Sequence, residues 1–262
     1  MLTISKQITG TALLLLTAFN ANAIALYGAY ARGQDFDDGN AENGGVGFTS
    51  ATVSSGVYAV ETSFIGSSYV PILRAKSVSI SPENSDDFTT ARAEAYQTFT
   101  SAITQSITLN LSLHGVVSDV SNINSYVLGD IKIRGGATHM VSGSYCSNGV
   151  YAFANNVVGF GAYLCGNNLG SSNLYIADGD ITLTDTITFD IAAGESFSVY
   201  GILRANSFGG SADAFHTLQM SFEDDTYITS ALSQVPLPAA FWLFGSGVIA
   251  LFGVGRFRRV RH

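Results

Sequence analysis

Apolar and polar residues alternate with a period of two along much of the chain. Ile107, Leu109, Leu111 and Leu113 are interleaved with Thr108, Asn110 and Ser112. The rhythm returns at Ile187, Phe189 and Ile191 around Thr188 and Asp190, and at Leu218, Met220 and Phe222 around Gln219 and Ser221. Successive side chains of a strand point to opposite faces, so each run predicts a strand with one buried face. Segments rich in Gly, Asn and Asp at 39–47, 135–136, 166–172, 178–180 and 209–210 read as breaks between such strands. Only Pro71 and Pro82 fall within this part of the chain. Residues 89–98 (Thr-Thr-Ala-Arg-Ala-Glu-Ala-Tyr-Gln-Thr) suit a helix or a strand, and the strands on either side favour strand. The pattern predicts an all-β ectodomain, an antiparallel β-sandwich or jelly-roll-like fold.

Both ends depart from this rhythm. Near the start, Lys6 precedes an apolar stretch at 8–19, and Ala21-Asn22-Ala23 has the small-x-small form of a signal-peptide cleavage site. That stretch is too short to span a bilayer, so a leader over 1–23 is expected, with Ala21 and Ala23 at the cut. Near the other end, residues 239–255 carry no charge. As a helix they would reach roughly 25 Å at about 1.5 Å per residue, enough for a thin membrane. Arg256, Arg258, Arg259 and Arg261 follow at once, and a basic flank holds such an end in the cytoplasm. The expected organisation is a signal peptide at 1–23, an ectodomain at 24–234 and a transmembrane tail at 235–262.

The tail can be read more closely. Val235-Pro236-Leu237-Pro238-Ala239-Ala240, then Trp242 and Gly245-Ser246-Gly247 within the apolar run, then the terminal arginines, resemble the VPLPA variant of the PEP-CTERM sorting signal. Leu237 stands where most members of that family carry Glu. The resemblance implies recognition by an exosortase, an intramembrane transpeptidase-like enzyme, with transient residence in the inner membrane and tail removal during export, often beside exopolysaccharide production. It covers only the tail, and any catalysis it implies belongs to the sorting enzyme. A looser likeness joins Gly194-Glu195-Ser196-Phe197 and residues 211–218 to the closing strands of PEP-CTERM ectodomains, which are usually β-sandwiches.

Trimming both ends changes the electrostatics. Removing Lys6 and the four tail arginines from 12 basic residues leaves 7 against 20 acidic ones, a net charge of −13 where the whole chain has −8. Such a surface repels nucleic acid. Cys146 and Cys165 both lie in the ectodomain. In an oxidising compartment a lone pair without a CxxC or a neighbouring His reads as a disulfide. It would close a loop of about 20 residues and stabilise by roughly 3 kcal/mol.

The search for catalytic chemistry returns little. No G-x-S-x-G, H-E-x-x-H, phosphate-loop or dinucleotide motif is present. His114 is expected to close a strand, His139 to follow a Gly-Gly turn and His216 to sit at a strand face or end; all three read as surface or rim residues. Asp35, Asp37, Asp38, Asn40 and Glu42 gather oxygen donors around Gly39, as calcium requires. Their spacing breaks the EF-hand pattern, so a solvated acidic turn is the reading preferred over a calcium loop, and no cofactor is expected. A glycan hydrolase would need two carboxylates roughly 5–9 Å apart, and the sequence singles out no such pair. The only tryptophan, Trp242, lies in the tail, leaving Tyr145, Tyr151, Tyr163 and Tyr175 as candidate sugar platforms.

The expectation is an exported, exosortase-processed protein of the cell surface or extracellular matrix. Its role is non-enzymatic and linked to biofilm or exopolysaccharide assembly. A carbohydrate-binding, lectin-like module is the alternative, and a carboxylate-dependent glycan hydrolase the third.

Overall fold

A computed structural model describes residues 27–35, 39–65, 70–79, 88–119, 125–136, 139–140, 150–152, 162–164 and 166–231. The expected leader with Ala21 and Ala23, the expected tail from Val235 to Arg261, and Cys146 and Cys165 lie outside them.

The described residues form sixteen strands. The first eight are β1 (Tyr27–Asp35), β2 (Gly39–Val46), β3 (Ser50–Ser54), β4 (Tyr58–Ile65), β5 (Val70–Val78), β6 (Phe88–Ser101), β7 (Gln105–Asp119) and β8 (Tyr126–Gly135). Three short ones follow: β9 (His139–Met140), β10 (Val150–Ala152) and β11 (Ala162–Leu164). The last five are β12 (Asn168–Ile176), β13 (Gly179–Ile191), β14 (Ser196–Phe208), β15 (Gly210–Phe222) and β16 (Ile228–Ser230). The segment at 89–98 is therefore strand.

One sheet runs β12-β8-β14-β6-β1-β2 with β16 beside β6, and a second runs β13-β7-β15-β5-β4-β3. Every pairing is antiparallel. The two sheets pack face to face, and most strands lie across from a neighbour in sequence. β12 meets β13, β14 meets β15, β5 meets β6 and β2 meets β3. Short connections that hop between layers thus assemble a two-layer core from local steps. A third, small sheet, β10-β11-β9, belongs to the connection between β8 and β12, and its β10 lies near β6.

The core has two textures. At one end Phe99, Phe189, Phe197 and Phe222 interlock, with ring centroids 5.0 to 6.0 Å apart, edge-on or stacked. Such pairs add about 0.5–1.5 kcal/mol each beyond their area burial. In the middle the larger sheet contributes Ala29, Ala31, Ala91, Ala93 and Ala95, all wholly buried. Small inner side chains let the sheets approach closely, and the larger residues of these strands face the other way.

Two glycine-rich segments read as breaks are strands. Residues 39–46 form β2, paired with β1 from Asp35↔Gly39 to Gly28↔Val46. Gly44 has φ +97°, and a Cβ there would stand 2.2 Å from the Ala29 carbonyl oxygen. Glycine allows the two backbones to meet where any side chain would part them. Residues 168–172 open β12, with a register shift between Asn168 and Gly170. A Cβ on Gly170 would stand 2.3 Å from Ile187 of the facing sheet. In both places the glycine serves close approach within a strand and does not punctuate a turn.

β15 carries its own irregularity. Its register shifts between Ala214 and Leu218, and Thr217 there adopts φ 114°. This bulge falls within the segment at 211–218 likened above to closing strands.

Candidate functional site

Two outward-facing surfaces offer chemistry. On the smaller sheet, β13, β7 and β15 hold Thr184, Thr186, Asn110, Ser112, Gln219 and Ser221 around a shallow groove of about 570 Å³. These residues are register neighbours (Thr184↔Ser112↔Gln219 and Thr186↔Asn110↔Ser221), so their side chains share one face. Asp185, beside the groove, is held below the usual carboxylate range by hydrogen bonds from the Ser172 hydroxyl and the Thr186 amide. The groove is lined by hydroxyls, amides, one carboxylate and Leu111, with no ring to stack on.

The outer face of the larger sheet is chemically richer. Register places Arg204 opposite Arg92, and Arg92 opposite Arg32, so three guanidinium-bearing residues stand in one row across β14, β6 and β1. Neighbouring strands are about 4.8 Å apart, and like charges directly opposite each other repel. Two carboxylates offset this. Glu42, at the β2 end of the row, pairs with Arg32 at 3.2 Å. Glu94, one row over, pairs with Arg92 at 2.5 Å and accepts the Tyr200 hydroxyl at 2.7 Å. The Glu94 side chain is completely buried. Lys132 pairs with Asp130 at 2.8 Å on β8.

Tyrosines fill the same face. Tyr30, Tyr96 and Tyr200 are buried on it, Tyr96 directly opposite Tyr200. Burial raises the pKa of all three phenols; the Glu94 carboxylate adds to the shift at Tyr200, and Glu42 adds to it at Tyr30. Towards the β12 edge Tyr126 and Tyr175 pack ring against ring, centroids 5.5 Å apart, and Tyr175 is 52% exposed. Asn206, opposite Tyr126, donates its side-chain amide to the Tyr126 hydroxyl. Arg204 stands one row away, opposite Leu128, which in turn faces Tyr175.

The residues named from sequence are placed as follows. His114 does not close a strand. β7 continues to Asp119, and His114 sits within it, its Nε2 3.0 Å from Asp180 Oδ1 on the neighbouring strand. His139 and His216 fall in β9 and β15. Of the acidic cluster, Glu42 is engaged by Arg32 and Asp35 accepts from the Thr89 hydroxyl at 2.8 Å, while Asp37 and Asp38 lie outside the described residues. Asn40 lies on β2, opposite Gln34. Among the described residues no three His, Cys, Asp or Glu side chains gather as a metal site. Of the four tyrosines, Tyr145 lies outside the described residues, Tyr151 and Tyr163 are register partners in the small sheet, and Tyr175 is apart from them on β12. Among the described residues no helix is long and apolar enough to cross a membrane.

The arginine row, Glu94 and the Tyr126 partner of Tyr175 escaped the sequence reading. The available signal was Ala alternating with charge or ring: Tyr30-Ala31-Arg32, and Ala91-Arg92-Ala93-Glu94-Ala95-Tyr96. Comparison of the chain with protein-family models and with curated proteins finds no match in either.

Proposed function

We propose that the chain is an exported protein, trimmed by an exosortase-type enzyme at the inner membrane, whose jelly-roll-like ectodomain serves as a non-enzymatic component of the cell surface or extracellular matrix. Its partners in this reading are the sorting enzyme and exopolysaccharide. The observation that carries it is the order of segments in the tail: Val235 to Ala240, the apolar run, and four terminal arginines. Intact-mass analysis of the protein from its native host, with fractionation of membrane, surface and medium, tests the route. A C-terminus near Val235 that depends on the exosortase is expected. A full-length chain held in the inner membrane would reduce the tail to a plain anchor and remove the main support for a matrix role.

The carbohydrate-binding reading has its own support in the Tyr126–Tyr175 pair, a half-buried ring packed against an exposed one. Two tilted rings beside an amide and a guanidinium form an apolar platform with polar groups at its rim, the combination that saccharide rings require. Tyr175→Ala is expected to weaken binding of a soluble polysaccharide by about tenfold, the effect of losing roughly 1.4 kcal/mol at a contact anchor.

A further inference from the structure

The cations of the ectodomain are unevenly spread. Seven lysines and arginines lie between residues 24 and 234: Arg32, Arg74, Lys76, Arg92, Lys132, Arg134 and Arg204. Five of them are on strands of the larger sheet, at register positions on its outer face. Arg74 and Lys76 are on the other sheet, committed to Glu61 and Asp213 at 2.9 Å each. The acidic segment at 24–234 has therefore gathered most of its positive charge on the face that also carries the tyrosine pair.

Within that group the counter-charges are also uneven. Arg32, Arg92 and Lys132 each have a carboxylate within an ion-pair distance. Arg204 forms no ion pair with any described residue, and its buried Nε has no hydrogen-bond partner among them. Arg204 nonetheless stands directly opposite Arg92, the arrangement in which a like charge costs most. Beside it, the buried Oδ1 of Asn206 also lacks a partner among the described residues, although its amide nitrogen is used. One guanidinium Nε and one carbonyl oxygen thus lack partners among the described residues, on the face that carries the exposed Tyr175 across Leu128.

We propose that this corner of the larger sheet, Arg204 and Asn206 beside Tyr126 and Tyr175, binds a carboxylated polysaccharide, with a sugar carboxylate on Arg204 and a pyranose ring on Tyr175. The assignment rests on the carbohydrate-binding reading above and narrows it to acidic glycans. A planar guanidinium matches a carboxylate through two parallel hydrogen bonds. The Asn206 oxygen can accept from a sugar hydroxyl, which a neutral or acidic saccharide supplies equally. Arg204 sets the preference for charge and Tyr175 the preference for a ring. At physiological salt the screening length is about 8 Å, so the remaining acidic surface repels the polymer little while the direct contacts persist.

Polygalacturonate and its fully methyl-esterified form separate the two contributions, because they share rings and linkages and differ only in charge. Affinities are measured by titration calorimetry on the full chain in mild detergent. Wild-type protein is expected to bind the acid form at least tenfold tighter than the ester. Arg204→Gln should erase that difference, Arg204→Lys should restore part of it, and Tyr175→Ala should weaken both forms. Tyr175 is largely exposed, so its loss leaves the fold intact, and Arg74→Ala serves as a charge-matched control expected to bind as wild type. Equal affinity for acid and ester, or an Arg204→Gln variant with the acid preference intact, would overturn the acidic assignment and leave the carbohydrate reading standing. Absence of binding to both polymers would overturn both. Polyglutamate binding as tightly as polygalacturonate would show that the corner reads charge without sugar and would also overturn the proposal.

Discussion

Replacing Glu94 with alanine is expected to destabilise the protein by about 3 kcal/mol, with loss of midpoint temperature of roughly 6–12 °C for a domain of this size. Three losses coincide. The Tyr200 hydroxyl, wholly buried, loses its acceptor at 2.7 Å. Arg92 loses its ion-pair partner among the described residues while Arg32 and Arg204 remain directly opposite it on either side. A cavity opens under a side chain that had no solvent exposure. Removing one member of a buried pair costs about 3–5 kcal/mol, and the low end applies because the Arg92 side chain is 21% exposed and recovers some hydration. Glu94→Gln should cost about 1–2 kcal/mol, since it keeps the volume and an acceptor for Tyr200 but not the charge. Urea denaturation of both variants, and of Glu94→Ala combined with Arg92→Leu, gives the check. The double variant should be less destabilised than the single, because no unpaired guanidinium remains. A Glu94→Ala variant within 0.5 kcal/mol of wild type, about the scatter of an ordinary surface substitution, would show that the network contributes nothing to the fold.

The strands most legible in the sequence are β7, β13 and β15, and they are adjacent in the smaller sheet. Their outer face is polar and solvated, so burial of one face writes itself directly into apolar–polar alternation. The larger sheet hides its pattern because both of its faces are filled. On β1 and β6 its inner positions are largely alanines, while outer ones include Tyr96, Glu94 and, on β14, Tyr200, which are wholly buried. Alternation there runs between small residues and charged or aromatic ones. Alanine mixed with Arg and Glu is also what helix propensity favours, which is why 89–98 suited either state. Glycine misled at β2 and β12 for a related reason. A turn and a close backbone approach use the same residue, and only the facing strand distinguishes them. The candidate site was less legible still. Tyr175 was named from its type, but its companions Tyr126, Arg204 and Asn206 come from β8 and β14, and only the register β12-β8-β14 brings them together. Arg32, Arg92 and Arg204 likewise are distant in the chain and become a row only through pairing.

Alkaline pH is expected to unfold the protein abruptly, and the same outer face is the reason. Tyr96 and Tyr200 have no solvent exposure. Desolvation raises both phenol pKa values, and the Glu94 carboxylate beside Tyr200 opposes a second negative charge there. In the unfolded chain each phenol ionises near pH 10. Above that pH the unfolded state has released these protons and the folded state still holds them, so the unfolded state binds fewer protons and stability falls as pH rises. The contribution is fully present below pH 10 and is lost above it. Each group lowers the unfolding free energy by about 1.4 kcal/mol per pH unit, so the pair removes about 3 kcal/mol per unit. Tyr30, raised by its burial and by Glu42, steepens the decline. A net stability of about 5–15 kcal/mol is then consumed within a few pH units above 10. In a titration followed by phenolate absorbance and circular dichroism together, the exposed members of the twelve tyrosines should ionise first, with the folded signal intact. The buried ones should ionise only as that signal collapses. Tyr96→Phe, which removes one linked proton and keeps the ring, should make the loss of stability with pH measurably shallower. All twelve tyrosines titrating smoothly near pH 10, with the dichroism unchanged, would mean that this face is open to solvent and that its tyrosine–glutamate layer is not part of the folded core.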